Sequence, residues 1–308
     1  MKKSVFLFLL FGFAVQAQTK PLILKDEIVR IETELASDKM DGRAIFTTGI
    51  DSASAFIEKE FTKIGLAYFK DLKNYRQEFT SRNKSANNVI GILPGKSKPN
   101  EYVVFSAHYD HLGSIEDGTD KIYNGANDDA SGTTAVIALA NYFKALANNE
   151  RTIIFVAFTG EEIGGFGSKY FSKNINPDEV VAMFNIEMIG TESKWNKNSA
   201  YITGFEKSNF GTILQNNLKG TNFNFYEDPY PNENLFYRSD NATLAAYGVP
   251  AHTISTSKMD SEANYHQLSD EVSTLDLDNM TEIIKAIAIS SESIINGNDT
   301  PTRVQKIR

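Results

Sequence analysis

Cysteine is absent from this 308-residue chain. Its absence excludes disulfides, thiol nucleophiles, iron–sulfur clusters and Cys-ligated zinc fingers. Histidine is scarce: only His108, His111, His252 and His266 occur, so any imidazole chemistry draws on these four. Positive charge is in deficit, with 31 Lys+Arg against 39 Asp+Glu and a net charge of −8. An acidic chain is a poor partner for nucleic acid, because phosphate contacts need a basic surface. No segment after the first residues is long and apolar enough to span a bilayer. Hydrophobic residues at 41% and charged residues at 23% are ordinary proportions. They exclude wholesale disorder and a coiled-coil rod.

What is present begins with an address segment. Lys2 and Lys3 precede an apolar run from Val5 to Val15, and Val15-Gln-Ala17 supplies small residues where a signal peptidase reads. This order reads as a secretory signal over residues 1–17, too short to cross a bilayer. An uncleaved anchor or a buried first strand is the alternative. A lipoprotein is excluded, since no cysteine can be acylated. The expected mature protein is exported, to the periplasm or outside the cell. It gains no disulfides there, so a large core or bound metal must stabilise it.

The rest reads as one α/β domain, with an N-terminal helical lead-in at 18–85 packed on a catalytic domain at 86–308. Helices are expected at 22–36, 51–64, 130–147, 167–173, 207–218, 239–246 and 276–295. Asp51 is the expected N-cap of the second and Gly65 its stop. Short β-branched runs at 88–93, 102–108, 152–158 and 180–186 read as strands buried on both faces. Alternating strands and helices predict a mainly parallel mixed sheet flanked by helices on both faces. Ligands of such sheets bind beyond the carboxyl ends of the strands.

The chemistry-bearing residues fall at those ends. His108 and Asp110 close the strand from Tyr102, and on extended backbone they point the same way, so Asp110 can fix the His108 tautomer. Asp128 and Asp129 lie in the tight turn Gly125-Ala-Asn-Asp-Asp-Ala-Ser-Gly132. Glu161 and Glu162 follow one strand, Glu187 ends another, and His266 lies in Asn264-Tyr-His-Gln-Leu-Ser-Asp270. Taken singly, each is an ordinary loop acid, helix cap or structural histidine. Together they crowd carboxylates at a cost of several kcal/mol unless a cation is present. A dinuclear centre removes that cost, and nitrogen and oxygen ligands without thiolate suit zinc, with manganese or cobalt as substitutes.

The motifs Ser106-Ala-His-Tyr-Asp-His-Leu-Gly113, Gly125–Gly132, Thr159-Gly-Glu-Glu162, Asn185-Ile-Glu-Met-Ile-Gly190, Tyr237-Arg-Ser-Asp240 and Tyr265-His266 form one ordered set. This set resembles the secreted two-zinc aminopeptidases of metallopeptidase family twenty-eight, and Leu35–Arg43 is similar to the segment leading into that domain. The resemblance implies that Asp128 bridges two zinc ions, with His108 and Glu187 completing one site and Glu162 and His266 the other. It implies Glu161 as general base, Asp110 orienting His108, and a cis peptide between Asp128 and Asp129. Tyr265 would donate to the oxyanion, or would simply pack.

Two departures stand out. Many family members carry Asp where this chain has Glu187, which retains the carboxylate on a longer stem. Asn241 replaces a frequent His. Outside the motifs, His111 reads as a supporting or structural residue near the metal loop, and His252 as a core residue in a buried strand. The aromatic stretch Tyr226–Tyr237 reads as a pocket-shaping loop or as a loop packed on its own rings. Arg238 and Asp240 would support the site or form a surface pair.

The implied function is hydrolysis of N-terminal residues from peptide substrates. The alternatives are glutaminyl-peptide cyclotransfer on the same scaffold with one zinc, and a binding protein with a decayed site. Dipeptidase or carboxypeptidase specificity also occurs on this scaffold. The whole reading requires Asp128 to reach the neighbourhoods of both His108 and His266.

Overall fold

The computed structural model describes residues 20–307. The expected signal segment 1–17 lies outside the described residues.

Among the described residues there are eleven strands and seven α-helices. The chain opens with α1 (Lys25–Leu35) and α2 (Thr48–Ile64), followed by β1 (Ala67–Tyr68), β2 (Arg76–Ser81), β3 (Lys84–Leu93) and β4 (Lys98–His108). A two-stranded ribbon, β5 (Gly113–Ser114) and β6 (Ile122–Tyr123), precedes α3 (Ser131–Leu146) and β7 (Arg151–Phe158). Next come α4 (Phe166–Lys173), β8 (Val180–Ile186), β9 (Ser199–Ile202), α5 (Phe210–Asn217) and β10 (Asn224–Glu227). The described chain closes with α6 (Asn241–Ala245), β11 (Ala251–Ser255) and α7 (Leu277–Ile295).

Nine strands share one mixed sheet in the order β1-β3-β7-β4-β8-β11-β9-β10, with β2 beside β3. Its centre is parallel, through the pairings β7–β4, β4–β8 and β8–β11. Antiparallel pairings lie outside it, at β3 with β1, β2 and β7, and at β11–β9. Every residue of β7 is buried, and six of the seven in β8 are, because helices cover both faces of the parallel centre. One core layer joins Ile31, Ile57, Phe105, Leu139, Phe143, Phe184 and Ile287 under α1, α2, α3 and α7. The other joins Ile90, Val104, Val156, Phe171, Met183 and Leu244 under α4 and α6.

The lead-in is more than helical. Its strands β1 and β2 add to the sheet through β3, and a division between 85 and 86 would cut β3 itself. Helix α2 starts three residues before Asp51, which sits in its first turn, and Gly65 stops it in a left-handed conformation (φ 76°). Among the described residues no helix is long and apolar enough to cross a membrane.

Candidate metal centre

Because β7, β4, β8 and β11 run parallel, their carboxyl ends share one rim, and the chemistry-bearing side chains stand at or beyond it. His108 ends β4, Glu161 and Glu162 follow β7, Glu187 follows β8, and Tyr265 and His266 lie in the loop after β11. Asp128 stands in the turn that opens into α3, joined to Asp129 by a cis peptide bond.

Asp129 ties this turn to two strands. Its carboxylate accepts the backbone N–H of His108 (3.3 Å), Gly132 (2.9 Å) and Met188 (3.1 Å). A Cβ on Gly132 would stand 2.5 Å from that carboxylate, so the position requires glycine. Across the turn, Asp270 accepts the N–H of Asn127 (2.8 Å) and of Asp128 (3.0 Å).

Arg43 locks the same region from the lead-in. Fully buried, it donates to the carbonyls of Leu35 (2.7 Å), Tyr109 (2.9 Å), Asn124 (2.6 Å) and Gly125 (2.9 Å). One guanidinium thereby joins the segment after His108 to the segment before Asp128. Its planar fork of five donors suits four carbonyls, a task no lysine can match.

The central carboxylate is Asp128. Its Oδ1 lies 3.2 Å from His108 Nε2 and its Oδ2 lies 3.2 Å from His266 Nε2. His266 Nε2 is also 3.1 Å from Glu162 Oε2. Two donors each ~2.0–2.1 Å from a tetrahedral zinc lie about 3.3 Å apart, so these spacings are those of ligands sharing an ion. His108 Nε2 is buried and has no hydrogen-bond partner, although it faces Asp128, which marks it as a donor aimed at a cation. The residues present therefore fit a divalent metal.

Electrostatics point the same way. Burial raises Glu187 to about 7 and Asp110 to about 6, against the opposing charge of His108 in both cases. Burial also lifts Glu161 well above the usual carboxylate range, reinforced by Glu187, Asp240 and Asp110. The proximity of Asp128 and then Glu162 pushes His266 up to about 10. Burial thus favours the neutral form of Glu187 and Glu161, and a divalent cation nearby would reverse that preference.

Asp110 lies beside His108 as expected, but through a different atom. The His108 Nδ1 hydrogen bond goes to the Asp110 backbone carbonyl (3.2 Å), while the nearer carboxylate oxygen is 3.9 Å away. That carboxylate instead accepts the N–H of Glu161 at 3.2 Å, tying the base candidate to β4. Tyr265 stacks on His266, with ring centroids 3.9 Å apart, and burial together with the surrounding acids keeps its phenol protonated.

The cleft beside these groups is lined by Met188, Tyr201, Leu235, Arg238, Met259 and Tyr265, among others. The 226–237 loop does both things expected of it, since Leu235 faces the cleft while the rings of Phe236 and Tyr237 pack edge to face at 4.9 Å. Arg238 pairs with Glu233 (3.0 Å) at the rim. His252 is a satisfied core residue, held by the Thr203 carbonyl (2.9 Å) and Ser208 Oγ (2.8 Å), and burial lowers it to about 4.

A mixed α/β sheet with histidines and carboxylates just beyond the ends of its parallel strands is a fold of the zinc-exopeptidase type. The chain belongs to Peptidase family M28, whose profile matches residues 88–290. Aminopeptidase YwaD of Bacillus subtilis is 32% identical over 121 residues, 38% of this chain and 24% of that protein. The matched region thus spans about a quarter of that relative. The zinc aminopeptidase BSAP of Bacillus subtilis shares the fold with a TM-score of 0.73 at 14% identity, covering 92% of this chain and 98% of that one. Glutaminyl cyclase of Porphyromonas gingivalis gives 0.69 at 15% identity, covering 89% and 99%.

Proposed function

We propose that this protein is a metal-dependent exopeptidase that removes N-terminal residues from peptides. The observation carrying this reading is the position of Asp128, each of whose oxygens lies 3.2 Å from the Nε2 of a different histidine. That arrangement supports two zinc ions per chain, with His108, Asp128 and Glu187 at one and Asp128, Glu162 and His266 at the other.

Bound there, the metals supply Lewis acidity towards the scissile carbonyl and make water a better nucleophile near neutral pH. The protein's own residues do the rest. Glu161, tied to Asp110 through its backbone, accepts a proton from the attacking water and passes it to the departing amine. Such a role is worth about 10²–10⁴ in rate. Tyr265, held as a neutral phenol against His266, donates a hydrogen bond to the developing oxyanion. The carboxylate-rich end of the cleft receives the substrate's free α-amine, which restricts cleavage to the first residue. The basic, apolar and small-residue order of positions 1–17 supports export to the periplasm or beyond.

Glutaminyl cyclisation is the competing reading, favoured by a fold likeness as complete as that to the aminopeptidase. Equal folds cannot separate two reactions. Retention of both His108 and Glu187 beside Asp128 supports the two-metal exopeptidase, although several of these acids are shared with the cyclases. Metal counting by mass spectrometry, with assays on aminoacyl-nitroanilides and on a peptide with N-terminal glutamine, tests the choice. Two metals with nitroanilide release support the exopeptidase, and one metal with loss of ammonia from the glutamine peptide overturns it.

A further inference from the structure

We propose that His111 is the positioning residue for Glu162, a role resting on the two-metal reading above. Glu162 divides its oxygens between two histidines. Oε2 faces His266 Nε2 at 3.1 Å, on the metal side, while Oε1 lies 2.7 Å from His111 Nδ1. A carboxylate can only accept, so His111 Nδ1 carries the hydrogen and donates. The length is that of a charge-assisted hydrogen bond and shorter than the ~3.3 Å that separates two ligands of one tetrahedral zinc. His111, Asp128 and Glu162 offer donor atoms within 4.8 Å of one another, and it is the short 2.7 Å contact that makes His111 the holder of Glu162 and not a third ligand.

The ring is built into place. Its side chain is fully buried, whereas that of His266 is 34% exposed. The His111 N–H donates to the Arg43 carbonyl (3.2 Å), and a Cβ on Gly125 would stand 2.5 Å from the ring. Gly125 itself is left-handed (φ 53°), so glycine there both shapes the turn to Asp128 and admits the imidazole.

The test substitutes the ring by amides that mimic one nitrogen each. His111→Asn keeps a donor near Nδ1, His111→Gln places one near Nε2, and His111→Ala removes both. Zinc affinity is read by competition with a chromophoric chelator, alongside the visible spectrum of the cobalt-substituted protein. We expect one of the two metals to bind about 10–100-fold more weakly in the Ala and Gln variants, the usual cost of losing an outer partner, with recovery in Asn and unchanged cobalt coordination. If His111→Ala fails to fold, the Asn and Gln variants decide by themselves. Equal zinc affinity in those two, or wild-type affinity throughout, overturns the proposal. So does a changed cobalt spectrum in Asn and Gln alike, which would make His111 a ligand. A wild-type protein that binds a single metal would instead defeat the two-metal reading, so the two failures are distinct.

Discussion

Asp270 holds Asp128 by its backbone, accepting that residue's N–H at 3.0 Å from a loop 142 residues further along the chain. The same carboxylate takes the Asn127 N–H at 2.8 Å. Asp270→Ala leaves two amides without acceptors in a buried turn, at about 1–3 kcal/mol each. The variant should melt lower and bind zinc more weakly than the parent. Differential scanning calorimetry and a chelator titration check both, and unchanged zinc affinity would mean that the turn places Asp128 unaided.

Glu161→Ala should retain both metals while losing about 10²–10⁴ in kcat, since Glu161 moves a proton and is not assigned as a ligand. Metal content and steady-state kinetics on one sample settle the point. A variant that loses metal, yet recovers wild-type turnover once metal is restored, would show the base to lie elsewhere.

Removing metal should abolish activity and also lower Tm. Asp128, Glu161, Glu162 and Glu187 are packed among one another, and the cation offsets their mutual repulsion. Dialysis against a chelator followed by melting at pH 7.5 measures the loss. Adding zinc back should restore the transition, and an apo-protein as stable as the loaded one would contradict the electrostatic account.

Glu32 offers a pH prediction away from the metals. Burial raises its carboxyl to about 8, opposed by the hydrogen bond from Thr134 (2.7 Å) and the charge of Arg43. An unfolded chain releases that proton near ~4.3. Between those values the folded state binds more protons, so this group's contribution to stability is full below the unfolded pKa and falls as pH rises to about 8. Glu32→Gln cannot titrate. Its Tm relative to wild type should climb from pH 4.5 to pH 8 and then level off, at roughly 2–4 °C per kcal/mol. Parallel Tm curves for the two proteins would sink the prediction.

Arg43→Lys should destabilise by on the order of 3 kcal/mol or more, because one ammonium cannot serve four separate carbonyls and some are left buried without a donor. Urea unfolding measures it, and a midpoint shift within error of zero would refute the clamp.

Much of this architecture was readable from the chain. The run at 180–186 is observed over those same residues as β8, because a stretch that is apolar except for Asn185 marks a strand buried on both faces. Strands β2 and β10 escape a sequence reading, since Arg76–Ser81 is mostly polar, Asn224–Glu227 is half polar, and both owe their conformation to pairing with β3 and β9. The helix at 51–64 was placed late because its cap is Thr47 and not the better-looking Asp51. Among the proposed ligands, His108, Asp128, Glu162 and Glu187 stand at or just past a strand end or in a tight turn, whereas His266 lies in a loop well beyond β11. His111 could not be found by position, since its meaning depends on Glu162, 51 residues away on a different strand end. Nor could sequence choose between the carboxylate and the carbonyl of Asp110 as the partner of His108.

The clamp by Arg43 bears on how this protein can be subdivided. The family profile begins at residue 88, yet the guanidinium that fastens the segments after His108 and before Asp128, and the pair of outer strands beside β3, come earlier. A fragment trimmed to the recognisable stretch would keep every proposed ligand but lose that fastening and both strands. The structural unit is larger than its signature.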